Sequence, residues 1–204
     1  MLRQSVAAQL CLTSYRKEEQ YKQTLLGYNP DPHAKKDSIL KDGRQIVLSL
    51  YRPEDKEALV SMYASMSPEA VKWGLPPYDR ARIEYWTSDL TNNITLLARL
   101  DERVVGHLRL FTIPFARRKG IGELLIYIHQ DFQNLGLGTL MMRKAIELAK
   151  ERGFHRIGLT VVADNKRAIK LYEKFSFKKE GIARETFYGD DHRYHDEVEM
   201  GLLL

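Results

Sequence analysis

Gln133-Asn134-Leu135-Gly136-Leu137-Gly138-Thr139 lies between a strand-like apolar run, Leu124-Leu125-Ile126-Tyr127-Ile128, and a helix-like run from Leu140 to Lys150. Two glycines two residues apart let the backbone turn without Cβ clashes and approach a ligand closely. The helix behind them presents unpaired N–H groups and the positive end of its dipole. Together these make a site for a phosphate or pyrophosphate. A glycine pair alone also suits an ordinary helix-start loop, so the rest of the carboxyl half has to decide between the two readings.

The chain has 204 residues, enough for one sizeable domain or one domain with an appendage. Hydrophobic residues at 44% allow a real core, and charged residues at 29% suit a solvated surface. No run approaches the roughly 18–20 apolar residues that span a bilayer, so no membrane segment is expected. The amino-terminal run Val6 to Leu12 follows only Arg3, is interrupted by Gln9 and precedes no clear small-residue cleavage site. No signal peptide is expected there. The single cysteine, Cys11, excludes an intrachain disulfide and suits a reducing compartment, so a cytoplasmic location is expected. A net charge of +5 permits nucleic-acid association. The clearest basic cluster, Arg117-Arg118-Lys119, reads as a solvated loop, and no nucleic-acid motif is present, so direct nucleic-acid binding is not expected. A site for an anionic cofactor also collects positive charge.

Residues before Ile39 read as a helical appendage and linker, broken by Gly27, Pro30 and Pro32. The following domain, 39–204, opens with a turn at Asp42-Gly43 and a strand from Gln45 to Tyr51. Helices follow near Pro53, Ser67 and Arg80. Asn93 to Leu100 and Arg103 to Phe111 form a hairpin, and Ile121 to Ile128 is a fourth strand. A helix from Gly138 to Arg152 ends at Gly153. A strand from Arg156 to Val162, a helix capped by Asp164 or Asn165, and strands over Phe177–Tyr188 and Tyr194–Leu203 complete the chain. This succession of strands and helices implies an α/β fold with a mixed sheet.

This order, with Gln133-x-x-Gly136-x-Gly138 and with Val162-Ala163-Asp164-Asn165 leading to Leu171-Tyr172-Glu173-Lys174-Phe175-Ser176-Phe177, resembles the GNAT N-acetyltransferase superfamily from about Gln45 to Leu204. The resemblance implies a GNAT-type α/β fold with a mixed, mostly antiparallel central sheet flanked by helices. Ser176 stands where a glycine is common in that family. Leu40-Lys41-Asp42-Gly43, Tyr51-Arg52-Pro53-Glu54-Asp55 and Ser65-Met66-Ser67-Pro68-Glu69 are similar to the opening of protein lysine acetyltransferases.

The resemblance implies acyl transfer from acetyl-CoA to an amine. An ammonium is not a nucleophile, so a base must remove its proton, and the leaving thiolate gains from a proton donor. The pyrophosphate of CoA is expected on the N–H groups of Leu135, Gly136, Leu137, Gly138 and Thr139, with Gln133 and Asn134 at the entry. Ile126, Ile128 and His129 are expected along the pantetheine arm, the last two through their backbones, and Asn165 is expected on a pantetheine amide. Glu123 is the candidate general base, although it also reads as a solvated strand acid and a one-residue slip would turn it to the other sheet face. Tyr172 is the candidate acid, against the alternative of a core tyrosine beside Leu171 and Phe175. His107 reads as structural. His192 and His195 with Asp190, Asp191 and Asp196 read as a mixed-charge turn, so no metal is expected. Tyr188, Asp190 and Asp191 are candidates for the edge of an acceptor pocket. Trp73, Tyr78, Tyr85 and Trp86 lie in the region that often shapes the acceptor site, with Trp86 read as core.

The acceptor expected from the upstream segments is a protein lysine. A protein N-terminal amine, a small polyamine, a non-catalytic acyl-CoA-sensing module and a homodimer stay open.

Overall fold

The computed structural model describes residues 39–113 and 115–204. The expected amino-terminal helix and Cys11 lie outside the described residues. The described elements are β1 (Val47–Leu50), α1 (Lys56–Ala64), α2 (Pro68–Val71), α3 (Arg80–Trp86), β2 (Ile94–Leu100), β3 (Arg103–Thr112), β4 (Ile121–Ile128), α4 (Leu137–Glu151), β5 (Arg156–Val162), α5 (Lys166–Lys174), β6 (Lys178–Tyr188) and β7 (Tyr194–Leu203). The elements expected from the sequence within these residues are present, with short 3-10 turns added at Pro53–Asp55, Ala116–Arg118 and Gln130–Phe132.

Local chemistry sets the element ends. Ser67 and Asp79 cap α2 and α3 through their side chains, and Asn165 caps α5 by accepting from the Ala168 N–H at 3.2 Å. Gly153 closes α4 at φ +71. Ser176 follows α5 at φ +67, the left-handed region that the usual glycine adopts without strain.

The seven strands form one sheet in the order β1-β2-β3-β4-β5-β7-β6. Every neighbouring pair is antiparallel except β4 and β5. That parallel pair is aligned only at Ile121↔Arg156, Gly122↔Ile157 and Glu123↔Gly158. Beyond Glu123 the two strands part, and a wedge opens between them.

The alternation of strand residues packs both faces of the β1–β4 half. Leu124, Ile126 and Ile128 join Met141, Ala145 and Ile169 of α4 and α5 in one core. Leu125 and Tyr127 join Leu59, Tyr63, Ile83 and Trp86 of α1 and α3 in the other. The fully buried Met141, Leu59 and Ile83 each contribute about 1.5–3 kcal/mol relative to exposure, and the partly buried β4 residues pack against these two layers where the strand borders the wedge. Trp86 is core, as its spacing suggested. Among the described residues no helix is long and apolar enough to cross a membrane.

Candidate functional site

A cleft of about 540 Å³ occupies the wedge and runs from the start of α4 to the region of Trp73. Of the residues expected on the cofactor, Ile126, Ile128, Gln133, Asn134, Gly136, Gly138, Thr139, Asn165 and Tyr172 line it.

Asn134 (φ +63) and Gly136 (φ +94) form the turn into α4. Among the described residues, the N–H groups of Leu135 to Thr139 have no hydrogen-bond acceptor; the first helical bond of this segment is Leu140 to Gly136. These N–H groups and the start of a 15-residue helix form a cradle for an anion. The side chains of Leu135 and Leu137 contribute nothing to it. Leu137 is buried in the core and Leu135 packs against it, so these two residues can offer only backbone. Gln133 fastens the loop to β4 by donating from Nε2 to the Ile128 carbonyl at 2.9 Å.

His129 does not take the place expected of it. Its N–H donates to the Val105 carbonyl on β3 at 3.0 Å. The strand alternation explains why. Backbone groups of His129 and Tyr127 point toward β3, which leaves those of Ile128 and Ile126 pointing into the wedge. The His129 ring is buried beside Phe132, its Nε2 lies 2.8 Å from the Arg103 guanidinium, and its Nδ1 accepts from the Asp131 N–H. Burial and then Arg103 lower its pKa. His129 is therefore a structural residue that turns the chain out of β4.

Tyr172 is 7% exposed and packs on Phe177 at 5.9 Å between ring centroids. It also lines the cleft, so the same side chain packs the core and forms part of the cleft wall. Burial, and secondarily Tyr127, pushes its phenol above the ordinary range. Its hydroxyl has no hydrogen-bond partner among the described residues.

Glu123 lies outside the cleft lining, at the apex of the wedge, on the same sheet face as Leu125 and Tyr127. A Cβ at Gly158 would lie 2.8 Å from the Glu123 Oε2, so the carboxylate crosses directly over β5. Arg118 pairs with it at 3.6 Å. Partial burial raises its pKa, Arg118 and Arg156 oppose that, and Glu199 and Glu180 add to it.

Several lining residues escaped the sequence reading: Lys41, Glu69, Tyr127, Thr160 and Arg167. Of these, Thr160 and Tyr127 were accessible through alternation once the wedge was known. The Tyr127 hydroxyl meets that of Tyr78 at 3.0 Å. Trp73 lines the cleft, whereas Tyr85 is exposed away from it. His107 is buried with Nδ1 2.8 Å from the Tyr63 hydroxyl, and burial lowers its pKa to about 3, which fits a structural residue.

Tyr188, Asp190 and Asp191 do not line the cleft. Asp191 instead meets His195 Nε2 at 2.9 Å, while Asp164 meets His195 Nδ1 at 2.7 Å. Carboxylates accept only, so both ring nitrogens donate and the imidazole is held as a cation. The Trp73 ring stands edge-on to this imidazole at 5.2 Å.

Residues 57–177 match the model of the Acetyltransferase (GNAT) family. The L-amino acid N-acetyltransferase AaaT of Escherichia coli (strain K12) is 35% identical over 91 residues, 44% of this chain and 56% of AaaT. The alignment thus spans little more than half the length of that relative. The putative ribosomal N-acetyltransferase YdaF of Bacillus subtilis (strain 168) is 26% identical over 175 residues, 80% of this chain and 93% of YdaF. The structure of yncA from Salmonella typhimurium, a putative acetyltransferase with its cofactor acetyl-CoA, superposes with a TM-score of 0.68 at 19% identity. It covers 78% of this chain and 94% of that one, a likeness of fold. None of these three names a protein lysine as acceptor.

Proposed function

The chain belongs to the GNAT family of acetyltransferases, and from that premise we propose that it moves the acetyl group of acetyl-CoA directly onto a primary amine. The observation that carries this reading is the wedge between β4 and β5, with unpaired N–H groups at one end and Tyr172 and Asn165 along its wall. In this reading the N–H groups of Leu135 to Thr139 hold the pyrophosphate. The backbones of Ile126 and Ile128 and the side chain of Asn165 hold the pantetheine arm.

Glu123 takes a proton from the incoming ammonium, and its raised pKa makes it a better base than a solvated glutamate. The free amine attacks the thioester carbonyl, a C–N bond forms and the C–S bond breaks. Tyr172 hydrogen-bonds the leaving sulfur. A thiol ionises near 8.5, well below a phenol whose pKa is raised, so Tyr172 steadies the thiolate chiefly as a hydrogen-bond donor.

We infer that the acceptor is an α-amine, of an amino acid or a protein N-terminus, because AaaT is named for L-amino acids and YdaF for a ribosomal acceptor. A protein lysine is the second reading, favoured by the segments at 40–43, 51–55 and 65–69. Thiol release from acetyl-CoA with free amino acids, an N-terminal peptide, a lysine peptide and spermidine separates these readings. Release with the α-amine acceptors that falls in Glu123→Gln and Tyr172→Phe supports the proposal. Tight CoA binding without release for any acceptor moves it to a sensing module.

A further inference from the structure

Among the described residues the unpaired charge of the cleft lies at one end. On the Trp73 side Glu69 lines it, paired with Lys72 at 2.8 Å. Lys41 and Arg167 line it on the side of Gly136 and Gly138. Arg167 precedes Leu171 by one helical turn of α5, and a Cβ at Gly138 would lie 3.0 Å from Leu171 Cδ2, so this face of α5 borders the α4 turn.

Lys41 arrives from an unexpected part of the chain. It lies outside the family-matched residues 57–177, on a turn closed by Leu40 N–H to Arg44 C=O and Gly43 N–H to Leu40 C=O. That turn is docked firmly on the α4 loop. The Lys41 N–H donates to the Leu135 carbonyl at 3.1 Å. The Arg44 guanidinium donates to the Asp131 carbonyl at 2.8 Å and lies 4.0 Å from the centre of the Phe132 ring. Asp42 fixes that guanidinium with a 2.7 Å bond from Nε. Leu40, one residue before Lys41, is buried in the main core. This docking holds the Lys41 backbone at the α4 loop and the residue in the cleft wall. Among the described residues neither Lys41 nor Arg167 forms an ion pair, so neither charge is neutralised from within.

We propose that Lys41, with Arg167 across the cleft, binds the phosphate groups of the CoA cosubstrate, and that Arg44 is the positioning residue for Lys41. The inference rests on the acetyl-CoA reading above. The ammonium supplies charge where the N–H cradle supplies direction, so the pair extends anion recognition beyond the loop.

The test is calorimetric titration of the full chain with CoA, 3′-dephospho-CoA and 4′-phosphopantetheine at two ionic strengths. Lys41→Ala, Lys41→Arg, Arg167→Ala and Arg44→Ala are compared with wild type, with Lys170→Ala as the control on α5. Lys41→Ala is expected to weaken CoA at least fivefold and to flatten its salt dependence, with Lys41→Arg close to wild type. Arg44→Ala should reproduce part of the loss although it removes no cleft-lining charge. Equal weakening for CoA and dephospho-CoA assigns the contact to the pyrophosphate. A loss confined to CoA assigns it to the 3′-phosphate. Either supports the proposal. Wild-type binding with Lys41→Ala and Arg167→Ala within twofold for all three probes overturns this inference alone. No binding of CoA by wild type overturns the acetyl-CoA reading as well.

Discussion

Glu123 reaches across the last aligned position of β4 and β5 to lie over Gly158, where a Cβ would stand 2.8 Å from its Oε2 and 3.0 Å from its Oε1. The glycine is therefore the floor on which the carboxylate rests. Gly158→Ala should displace Glu123 while leaving the CoA cradle intact. The expected result is a fall in kcat of about tenfold or more, as misplacement of a catalytic group produces, with CoA affinity within about twofold. An unchanged kcat would place the reacting amine away from Glu123.

Glu123→Gln should lower kcat/KM by about 10²–10⁴-fold, the usual contribution of a positioned base. The pH dependence has a definite sign. As the proposed base Glu123 acts when deprotonated, and burial raises its pKa, so wild-type kcat/KM should rise with pH through a value above the ordinary glutamate range. The variant should lose that limb. A wild-type limb that persists in Glu123→Gln would assign the base elsewhere.

His195, gripped by Asp191 and Asp164, has a raised pKa, and Asp191 is correspondingly held down at about 2. The histidine contributes stability that is complete below its unfolded pKa and is lost as pH rises through its higher folded pKa. Asp191 contributes stability present above its unfolded pKa and lost as pH falls toward about 2. Thermal unfolding followed from acid to alkaline pH should show a loss as pH rises through the raised His195 pKa, a loss that His195→Asn abolishes. Equal pH slopes for both proteins would refute the assignment. The neighbouring charges are Arg193, which pairs with Asp191, and Lys72, which lies over Trp73 and pairs with Glu69.

Ser176 holds a left-handed conformation, φ +67, that disfavours side chains by roughly 1–2 kcal/mol. Ser176→Gly relieves this, less the added freedom of glycine in the unfolded chain. A net gain of about 0.5–1 kcal/mol and a rise in Tm of about 1–4 °C are expected by calorimetry. A lower Tm would mean that the serine hydroxyl repays its strain.

The legible parts of the molecule were those written locally. Gly136, Gly138 and Asn165 announce turns and caps within a few residues of themselves, and the helices and strands carry their own periodicity. What could not be read depended on one tertiary event, the parting of β4 from β5. Its position decides which parity of β4 faces the wedge, so Ile128 could be placed there and His129 misplaced one residue later. Lys41 was invisible for a related reason. Its sequence context shows a turn, and the docking of Arg44 on Phe132 and Asp131, with the Lys41 N–H on the Leu135 carbonyl, carries that turn to the α4 loop.

The three aligned positions that join β4 to β5 have a further consequence. Past Glu123 the sheet contains an edge in its interior, a row of main-chain groups with the hydrogen-bonding capacity of a strand and, among the described residues, no strand opposite. In the binding mode proposed above, a ligand with amides along its length stands in for that strand, and the cosubstrate becomes part of what holds the two halves of the sheet together. Ligand at about 100 times its Kd adds about 2.7 kcal/mol to the folded state by mass action. Resistance to heat and to proteolysis should therefore rise with the acyl-CoA supplied. The abundance of this protein in a cell would then carry a record of how much acyl-CoA that cell has to spare.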